Sequence, residues 1–319
     1  MQSADHDVLS KALAWAREGV EAALVTVVQT AGPAPRPPGS IAALTCNGVL
    51  VGSISGGCIE EDLRERLAAN GPPETPTAIT YGLTRDEAER MGLPCGGTLE
   101  LVIERLPAAT QLAELVRSID EHRLITRRLA MASGASELVP AAAEHPFRYD
   151  GQAMERLFGP TWTLIIVGAG QIGRYLAEMA LALDYHVLVC EPRAIDRDAW
   201  RVEGVSVVAT MPDELVRERV DRRTAVVTLT HDPKIDDMAL MEALISPAFY
   251  VGALGSERTS LRRRTRLIEH LELPDAAVDR LHGPVGLPLG GRRPAEIALS
   301  IMAEITALRH ERCLVLQST

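Results

Sequence analysis

Residues Thr163–Gly173 read T-L-I-I-V-G-A-G-Q-I-G, an aliphatic run that stops at a glycine-rich turn. Leu164, Ile165, Ile166 and Val167 show no polar alternation, which suits a parallel strand covered on both faces. Gly168, Gly170 and Gly173 fill the G-x-G-x-x-G spacing. In that spacing the first glycine makes the tight turn, the second lets a pyrophosphate reach the backbone, and the third lets the helix close on the strand. Arg174–Leu183 continues as a helical pattern and His186–Cys190 as the next strand, and Glu191 stands where such folds place an acid for a ribose hydroxyl. This frame predicts a Rossmann-like, doubly wound parallel sheet. The glycines are also consistent with a tight strand–helix junction that holds no ligand. Arg193, just past Glu191, leaves NAD and NADP both open, because an arginine there can meet a 2′-phosphate.

The α/β alternation continues to the end of the chain. Val205–Ala209 and Ala225–Leu229 read as strands and Asp213–Val220 as a helix. The second of these strands ends in T-H-D-P, so Thr230, His231 and Asp232 are placed to line a crevice at the strand ends, although a loop histidine such as His231 often contacts nothing. Asp236–Ile245 is helical and Phe249–Gly252 is a strand. Gly255 and Ser256 then open a helix, where they are positioned to meet an anion. Its run of Arg258, Arg262, Arg263, Arg264 and Arg266 reads as a solvated face or a partner surface. Pro294 starts a last helix with Ile297, Ile301, Ile305 and Leu308 on its core stripe.

The N-terminal half is organised differently. A helical stripe over Asp5–Glu18 carries Leu9, Leu13 and Ala16, and a β-branched strand at Ala23–Thr30 runs into the proline-held loop Ala31–Ser40. Arg36 is the only charge of that loop, either solvated or held over an anion. Ile41–Thr45 and Val49–Ser53 flank Asn47-Gly48, the sequence signal of a type I′ hairpin. The second strand leads into Ser53–Leu63, where the glycine pair Gly56 and Gly57 precedes a helix with Cys58 in its first turn. Free amides and the helix dipole lower a thiol's pKa there. Glu60, Glu61 and Asp62 oppose an added anion, so a reactive and a structural thiol stand level. Ala78–Tyr81 reads as a strand. A second glycine turn holds Cys95, Gly96 and Gly97 and leads into the strand Thr98–Ile103. Two cysteines set in mobile glycine at strand ends suggest one shared pocket, the alternative being glycine turns that serve sheet geometry alone. Leu112–His122 reads as a helix and Leu124–Ala132 as a strand, and from Ala141 to Pro160 the pattern decays. A boundary there divides the chain into a smaller α+β domain at 1–150 and the Rossmann-like domain at 160–319.

Composition narrows the function classes. The 319 residues are enough for two domains with real cores. A net charge of −10 disfavours nucleic acid and anionic membrane surfaces as partners. No apolar run approaches the ~20 residues of a membrane span. The start, M-Q-S-A-D-H-D, has no signal-peptide pattern, so a cytoplasmic location is expected. The five cysteines are scattered without a C-x-x-C, which argues against a zinc site or a disulfide framework, and no metal ligands are assigned. An aromatic content of 3% excludes base-stacking platforms. Small-molecule or protein-partner chemistry remains.

Seven motifs occur in one order along nearly the whole chain. They are T-A-G-P-A-P-R-P-P-G (Thr30–Gly39), S-G-G-C-I-E (Ser55–Glu60), P-C-G-G (Pro94–Gly97), G-A-G-Q-I-G (Gly168–Gly173), T-H-D-P-K-I-D-D (Thr230–Asp237), Y-V-G-A-L-G-S (Tyr250–Ser256) and H-G-P-V-G (His282–Gly286). In this the chain resembles the XdhC/CoxI family, accessory proteins of xanthine dehydrogenase and related molybdenum hydroxylases. The resemblance implies a chaperone rather than a turnover enzyme. Such a chaperone binds the molybdenum cofactor, as molybdopterin or its cytosine dinucleotide form, assists its sulfuration and inserts it into the apo-hydroxylase. It further implies a cofactor-sulfurating cysteine desulfurase and cofactor-synthesis enzymes as partners, and a homodimer. Carried onto this sequence, the family's two glycine-flanked cysteines fall on Cys58 and Cys95 and its proline-loop arginine on Arg36. The Rossmann domain could then hold a nucleotide portion. Two departures stand out: G-L-P-L-G-G replaces the usual G-L-D-I-G-A after H-G-P-V, and Glu191 stands where aspartate is common. An NAD(P)-dependent oxidoreductase using Gly168–Gly173 and Glu191 is the competing reading, weakened by the lack of a Tyr/Lys or His/Asp dyad after the fingerprint. A scaffold whose glycine junctions are relics is a third.

Overall fold

In the computed structural model, which describes residues 4–32, 36–55, 57–82, 97–141, 146–194, 197, 200–230 and 232–310, the β-branched run Ala22–Ala31 forms the central strand β1 of an antiparallel sheet. The chain divides into two compact units, Gln2–Gly159 and Pro160–Thr319.

In the first unit β1 is flanked by β2 (Ile41–Thr45), β3 (Leu50–Gly52), β4 (Thr77–Tyr81) and β5 (Thr98–Arg105) in the order β3-β2-β1-β5-β4. Side chains alternate across β1. Val25 and Val27 pack with Ile59, Leu63 and Leu67 of α2 (Cys58–Asn70). On the other face, Ala22 and Leu24 meet Leu9 of α1 (Ala4–Glu18) and Leu112 and Leu115 of α3 (Ala109–Asp120). The register pairs Ala31 with Thr98, Tyr81 with Leu99, Thr26 with Ile41 and Ala42 with Gly52. The end of β1, the start of β2 and the ends of β3 and β4 therefore lie at one end of the sheet, together with the start of β5.

A second sheet of the same unit joins β6 (Ile125–Ala130), β7 (Ser136–Pro140), β8 (Phe147–Tyr149) and β9 (Ala153–Phe158) in the order β7-β6-β9-β8. β8 and β9 occupy the stretch whose sequence period decays. Their pattern is hidden because β9 buries Arg156, which donates to Asp5 Oδ2 at 2.6 Å and lies over the Phe158 ring. Arg127 of β6 and Glu104 of β5 form a bidentate pair at 2.7 and 2.6 Å, each only 4% exposed.

The hairpin between β2 and β3 differs from the type I′ expectation. Gly48 alone takes a positive φ, 87°, and its amide closes the turn on Thr45 O at 3.0 Å. The loop is longer than two residues, since Leu44 pairs with Leu50, and Thr45 Oγ1 bonds to Asn47 Oδ1 and accepts from Val49 N. These local bonds let Asn47 remain at negative φ.

The second unit is a parallel six-stranded sheet of β10 (Trp162–Val167), β11 (Tyr185–Cys190), β12 (Ser206–Val208), β13 (Thr224–Thr228), β14 (Tyr250–Ala253) and β15 (Leu281–His282). Its order, β12-β11-β10-β13-β14-β15, is the doubly wound 3-2-1-4-5-6 arrangement, with the reversal between β10 and β13. Leu164 and Ile166 face α4 (Gln171–Ala182) and α9 (Pro294–Arg309). Ile165 and Val167 face the other layer, made by α5 (Pro212–Arg219), α6 (Pro233–Ile245), α7 (Glu257–Glu269) and α8 (Asp275–Val278). Burial on both faces is why the run carries no polar residue. On α9, Ile301 and Ile305 are fully buried, whereas Leu308 is exposed and leaves the expected stripe.

The arginines of α7 do not form a solvated face. Arg258 and Arg262 are exposed, but Arg263 is buried against Asp236 at 2.9 Å and Leu254 O at 3.0 Å. Arg264 donates to Val278 O at 2.7 Å, and Arg266 makes a two-bond pair with Asp237. A guanidinium enters a protein interior only when such partners replace its water. Among the described residues, no helix is long and apolar enough to cross a membrane.

Removing one partner of the Glu104–Arg127 pair strands a buried charge. Glu104→Ala is expected to destabilise the first unit by about 3–5 kcal/mol, read as a lower denaturation midpoint in urea.

Candidate functional site

The glycine-rich turn between β10 and α4 separates into glycines that the protein itself requires and one that it does not. Gly168 sits at φ 110°, and an added Cβ would lie 2.9 Å from Thr230 Cγ2. A Cβ on Gly173 would lie 2.9 Å from Gly168 O. Gly170, the N-cap of α4, has extended backbone, and a Cβ there would meet open space. Internal packing therefore does not account for a glycine at that position.

The turn opens on a cleft of about 440 Å³ at the carboxyl ends of the strands, lined by Gly168, Gly170, Glu191, Arg193, Thr230 and Asp232 among others. Glu191 follows β11 and is 1% exposed. Its Oε2 accepts from Ala169 N at 3.1 Å, and its Oε1 accepts from Arg193 N at 3.1 Å and Arg193 Nε at 2.9 Å. Burial pushes this carboxyl up, but the Arg193 guanidinium and the two amides outweigh it and hold the group below its ordinary value. Neighbouring Cys190 is pushed up to about 12 by burial, then by the charges of Glu191 and Asp213. It is a neutral thiol donating to Thr210 O at 3.1 Å, not a nucleophile.

On the opposite wall Thr230 donates to Asp236 Oδ1 through Oγ1 at 2.7 Å and through its amide at 3.3 Å. Burial raises the Asp236 pKa against the pull of Thr230 and Arg263. Asp236 and Arg263 thus tie the T-H-D-P turn to the carbonyl of Leu254, a link between residues far apart in sequence that no local pattern signals. His231 lies outside the described residues. Gly255 and Ser256 stand at the start of α7 but are not among the residues lining the cleft, and Ser256 Oγ caps its own helix by accepting from Thr259 N at 3.2 Å.

In the first unit three motifs abut the same end of the five-stranded sheet: the proline loop after β1, the S-G-G-C loop after β3, and Gly97, the last residue of P-C-G-G, before β5. A Cβ on Gly32 would lie 3.3 Å from Gly97 Cα, so the first and third loops meet. Arg36 Nε donates to Ser53 O at 3.3 Å, joining the first to the second. α2 begins at Cys58 with Gly57 as N-cap, and a Cβ on Gly57 would meet open space. The side chain of Cys58 lies outside the described residues, as do Gly56, Cys95 and Gly96.

The residue that shapes the S-G-G-C loop is Glu60, 4% exposed. Its carboxylate accepts from the amides of Ile54 at 3.1 Å, Ser55 at 2.7 Å and Gly57 at 2.8 Å. Glu60 is therefore turned back into the loop, not spread along the helix as a dipole counter-charge, and its place three residues after the N-cap is the sequence signal for this. Asp62 accepts from Tyr81 Oη at 2.6 Å, and Glu61 pairs with Arg64 at 3.0 Å. Among the described residues no His, Cys, Asp and Glu group could hold a metal ion.

The H-G-P-V-G motif closes on a residue outside it. Glu304 of α9 accepts from Tyr250 Oη at 2.5 Å and Gly286 N at 2.8 Å, and meets His282 Nδ1 at 3.0 Å. The Tyr250 and His282 rings stack at 4.6 Å.

Fold and site together define a class: an α/β protein that joins a Rossmann cleft to a sheet-end cluster of glycine and proline loops. The profile of the XdhC and CoxI family matches residues 15–82, and that of the XdhC Rossmann domain matches residues 164–305. The chain belongs to the XdhC and CoxI family. It is 27% identical to the molybdenum cofactor insertion chaperone PaoD of Escherichia coli (strain K12), over 96% of this chain and 89% of that protein. It is 26% identical to a Bacillus subtilis (strain 168) protein named as a probable xanthine dehydrogenase subunit, over 91% of this chain and 93% of that one. A crystal structure described as a xanthine dehydrogenase from Bacillus halodurans shares the fold, with a TM-score of 0.73 at 21% identity over 98% of both chains.

Two expectations follow. Glu60→Ala leaves three loop amides without their acceptor, so hydrogen exchange at Ile54, Ser55 and Gly57 should report local opening easier by about 1–3 kcal/mol. The Glu304 carboxyl is pushed up by burial, but His282, Tyr250 and the Gly286 amide more than offset this and hold it below its ordinary value. Its contribution to stability is therefore complete above the unfolded-state pKa and lost as pH falls through the lower folded value. Thermal denaturation between about pH 6 and about pH 3, a window that spans carboxylate titration, should show a shallower acid limb in Glu304→Gln than in wild type.

Proposed function

We propose that this protein is a molybdenum cofactor insertion chaperone for a xanthine dehydrogenase-type molybdenum hydroxylase. The observation that carries the reading is the gathering of the proline loop, the S-G-G-C loop and the start of β5 at one sheet end, with Arg36 bonded to Ser53 and Gly32 against Gly97. The family membership and the name of the Escherichia coli relative support it.

The residues present fit such a cargo. A pterin phosphate asks for a cation and backbone amides, and a dithiolene-held molybdenum asks for a soft donor. Arg36 offers the first, the start of α2 beside the open space at Gly57 offers the second, and the sequence supplies Cys58 and Cys95 as candidates for the third. Bound there, the cofactor would supply the molybdenum centre that the client hydroxylase uses, in molybdopterin or cytosine dinucleotide form. Glu60 holds the loop in one shape, so that binding does not have to order it. In this reading residues 1–150 carry the cargo through sulfuration by a cysteine desulfurase and on to the apo-hydroxylase. The chaperone works as a cytoplasmic homodimer and residues 160–319 form its Rossmann domain.

Purification without oxygen from a molybdopterin-making host, followed by oxidised-pterin fluorescence, tests the reading. Wild type should carry pterin, and Cys58→Ala, Cys95→Ala and Arg36→Ala should each retain several-fold less. Wild type that carries no pterin and takes none up from free cofactor would overturn it.

A further inference from the structure

We propose that Glu100 is the residue that reads the pterin ring of the cargo, its carboxylate accepting from the adjacent N–H groups of the 2-amino-4-oxopyrimidine edge. This inference rests on the chaperone reading and names the part of the cargo that the first unit recognises.

The register of β5 places Glu100 close to the sheet end where the motif loops gather. Gln29 of β1 and Thr80 of β4 pair with it from either side, so the three side chains stand on one face of the sheet. That placement depends on a β-bulge in β1. Val27 pairs with Leu101 and Gln29 with Glu100, which leaves Val28 as the extra residue. Val28 packs with Val102 on the face away from α2. Without the bulge, Gln29 would alternate onto the α2 face beside Val27. Bulges re-aim side chains in this way next to functional sites. Phe147 and Tyr149 of β8 pack on the same Val28 and Val102 cluster. A Cβ on Gly39, which closes the proline loop, would lie 3.4 Å from the Phe147 ring, so that loop and β8 meet on the Glu100 side.

Glu100 differs from the other acid on its face of β5. Both oxygens of Glu104 are taken by Arg127. Among the described residues no ion pair reaches Glu100, and Tyr149 is the one partner of its side chain. Burial, then the charge of Glu100 and a hydrogen bond to it, push the Tyr149 hydroxyl up. A carboxylate has acceptor sites for about four donors, so this half-buried one keeps most of its capacity open. A pterin edge brings two adjacent N–H donors, which a carboxylate accepts as two parallel, charge-assisted bonds. The aromatic rings beside it suit a flat heterocycle. Helix α2, which begins at Cys58, covers the other face of the sheet. A cofactor laid over this sheet end with its metal on the α2 side carries its pterin toward Glu100.

Fluorescence titration of the full chain with pterin and with lumazine, the same ring system with a 2-oxo group in place of the 2-amino group, tests this. Wild type should bind pterin about tenfold or more tightly than lumazine, which turns an acceptor toward the carboxylate where pterin turns a donor. Glu100→Gln keeps the side-chain volume but offers a single acceptor oxygen. It should bind pterin about tenfold more weakly and lose most of the preference over lumazine. The wild-type comparison is decisive even where the variant does not fold. Molybdopterin content, read as oxidised-pterin fluorescence on the same preparations, keeps this inference apart from the chaperone reading. Wild type that carries molybdopterin yet binds no free pterin or binds both rings equally, or a folded Glu100→Gln that keeps the preference, would overturn this inference alone. Wild type that carries no pterin and takes none up from free cofactor would overturn both.

Discussion

Carboxylates set behind glycine-rich loops and accepting their backbone amides hold this protein's strand ends in shape. Glycine turns at the end of a sheet leave N–H groups that no ladder satisfies, and a buried donor without a partner is costly. Glu60 takes three such amides in the S-G-G-C loop. Glu191 takes Ala169 and Arg193, Asp236 takes Thr230, and Glu304 takes Gly286. Each loop is thereby fixed by a single side chain from a nearby helix or strand end, while Gly57 and Gly170 keep open space beside them.

The two units use this device for different ends. In the first, the fixed loops come from antiparallel strands whose ends are made adjacent by register, so motifs distant in sequence share one edge of a sheet. In the second, the parallel order places every carboxyl end on one side and opens the crevice where the order reverses. A buried ion pair reinforces each arrangement: Glu104–Arg127 links β5 to β6, and Asp236–Arg263 links the T-H-D-P turn to the start of α7. Such pairs contribute little net stability against apolar replacements, and their value lies in the single geometry that they allow.

Much of the fold was legible because burial leaves a plain mark on composition. An unbroken Leu-Ile-Ile-Val followed by spaced glycines admits few structures, and helices with apolar stripes ended close to their expected bounds. Strands β8 and β9 escaped because β9 carries a buried, paired arginine where a sequence pattern expects an apolar residue. Arg263 and Arg266 of α7 depart from a solvated face for the same reason: charge predicts exposure only until a partner is supplied from elsewhere in the fold. At the Asn47-Gly48 hairpin, loop length and the Thr45 hydroxyl overrode the dipeptide preference.

For the candidate sites the division is similar. Residue type at short, fixed spacing was enough to read the doubly wound sheet, the glycine turn of its cleft, the acid at the end of the second strand and the family. Packing alone decided that Gly170 is the glycine with room beside it, that Arg127 is buried against Glu104, that Arg263 is buried against Asp236, and that Gly32 meets Gly97. Those outcomes depend on which groups meet across the fold. A local pattern carries no information about a partner many residues away, and the competition among buried charges and amides for those partners is resolved only when the chain has packed.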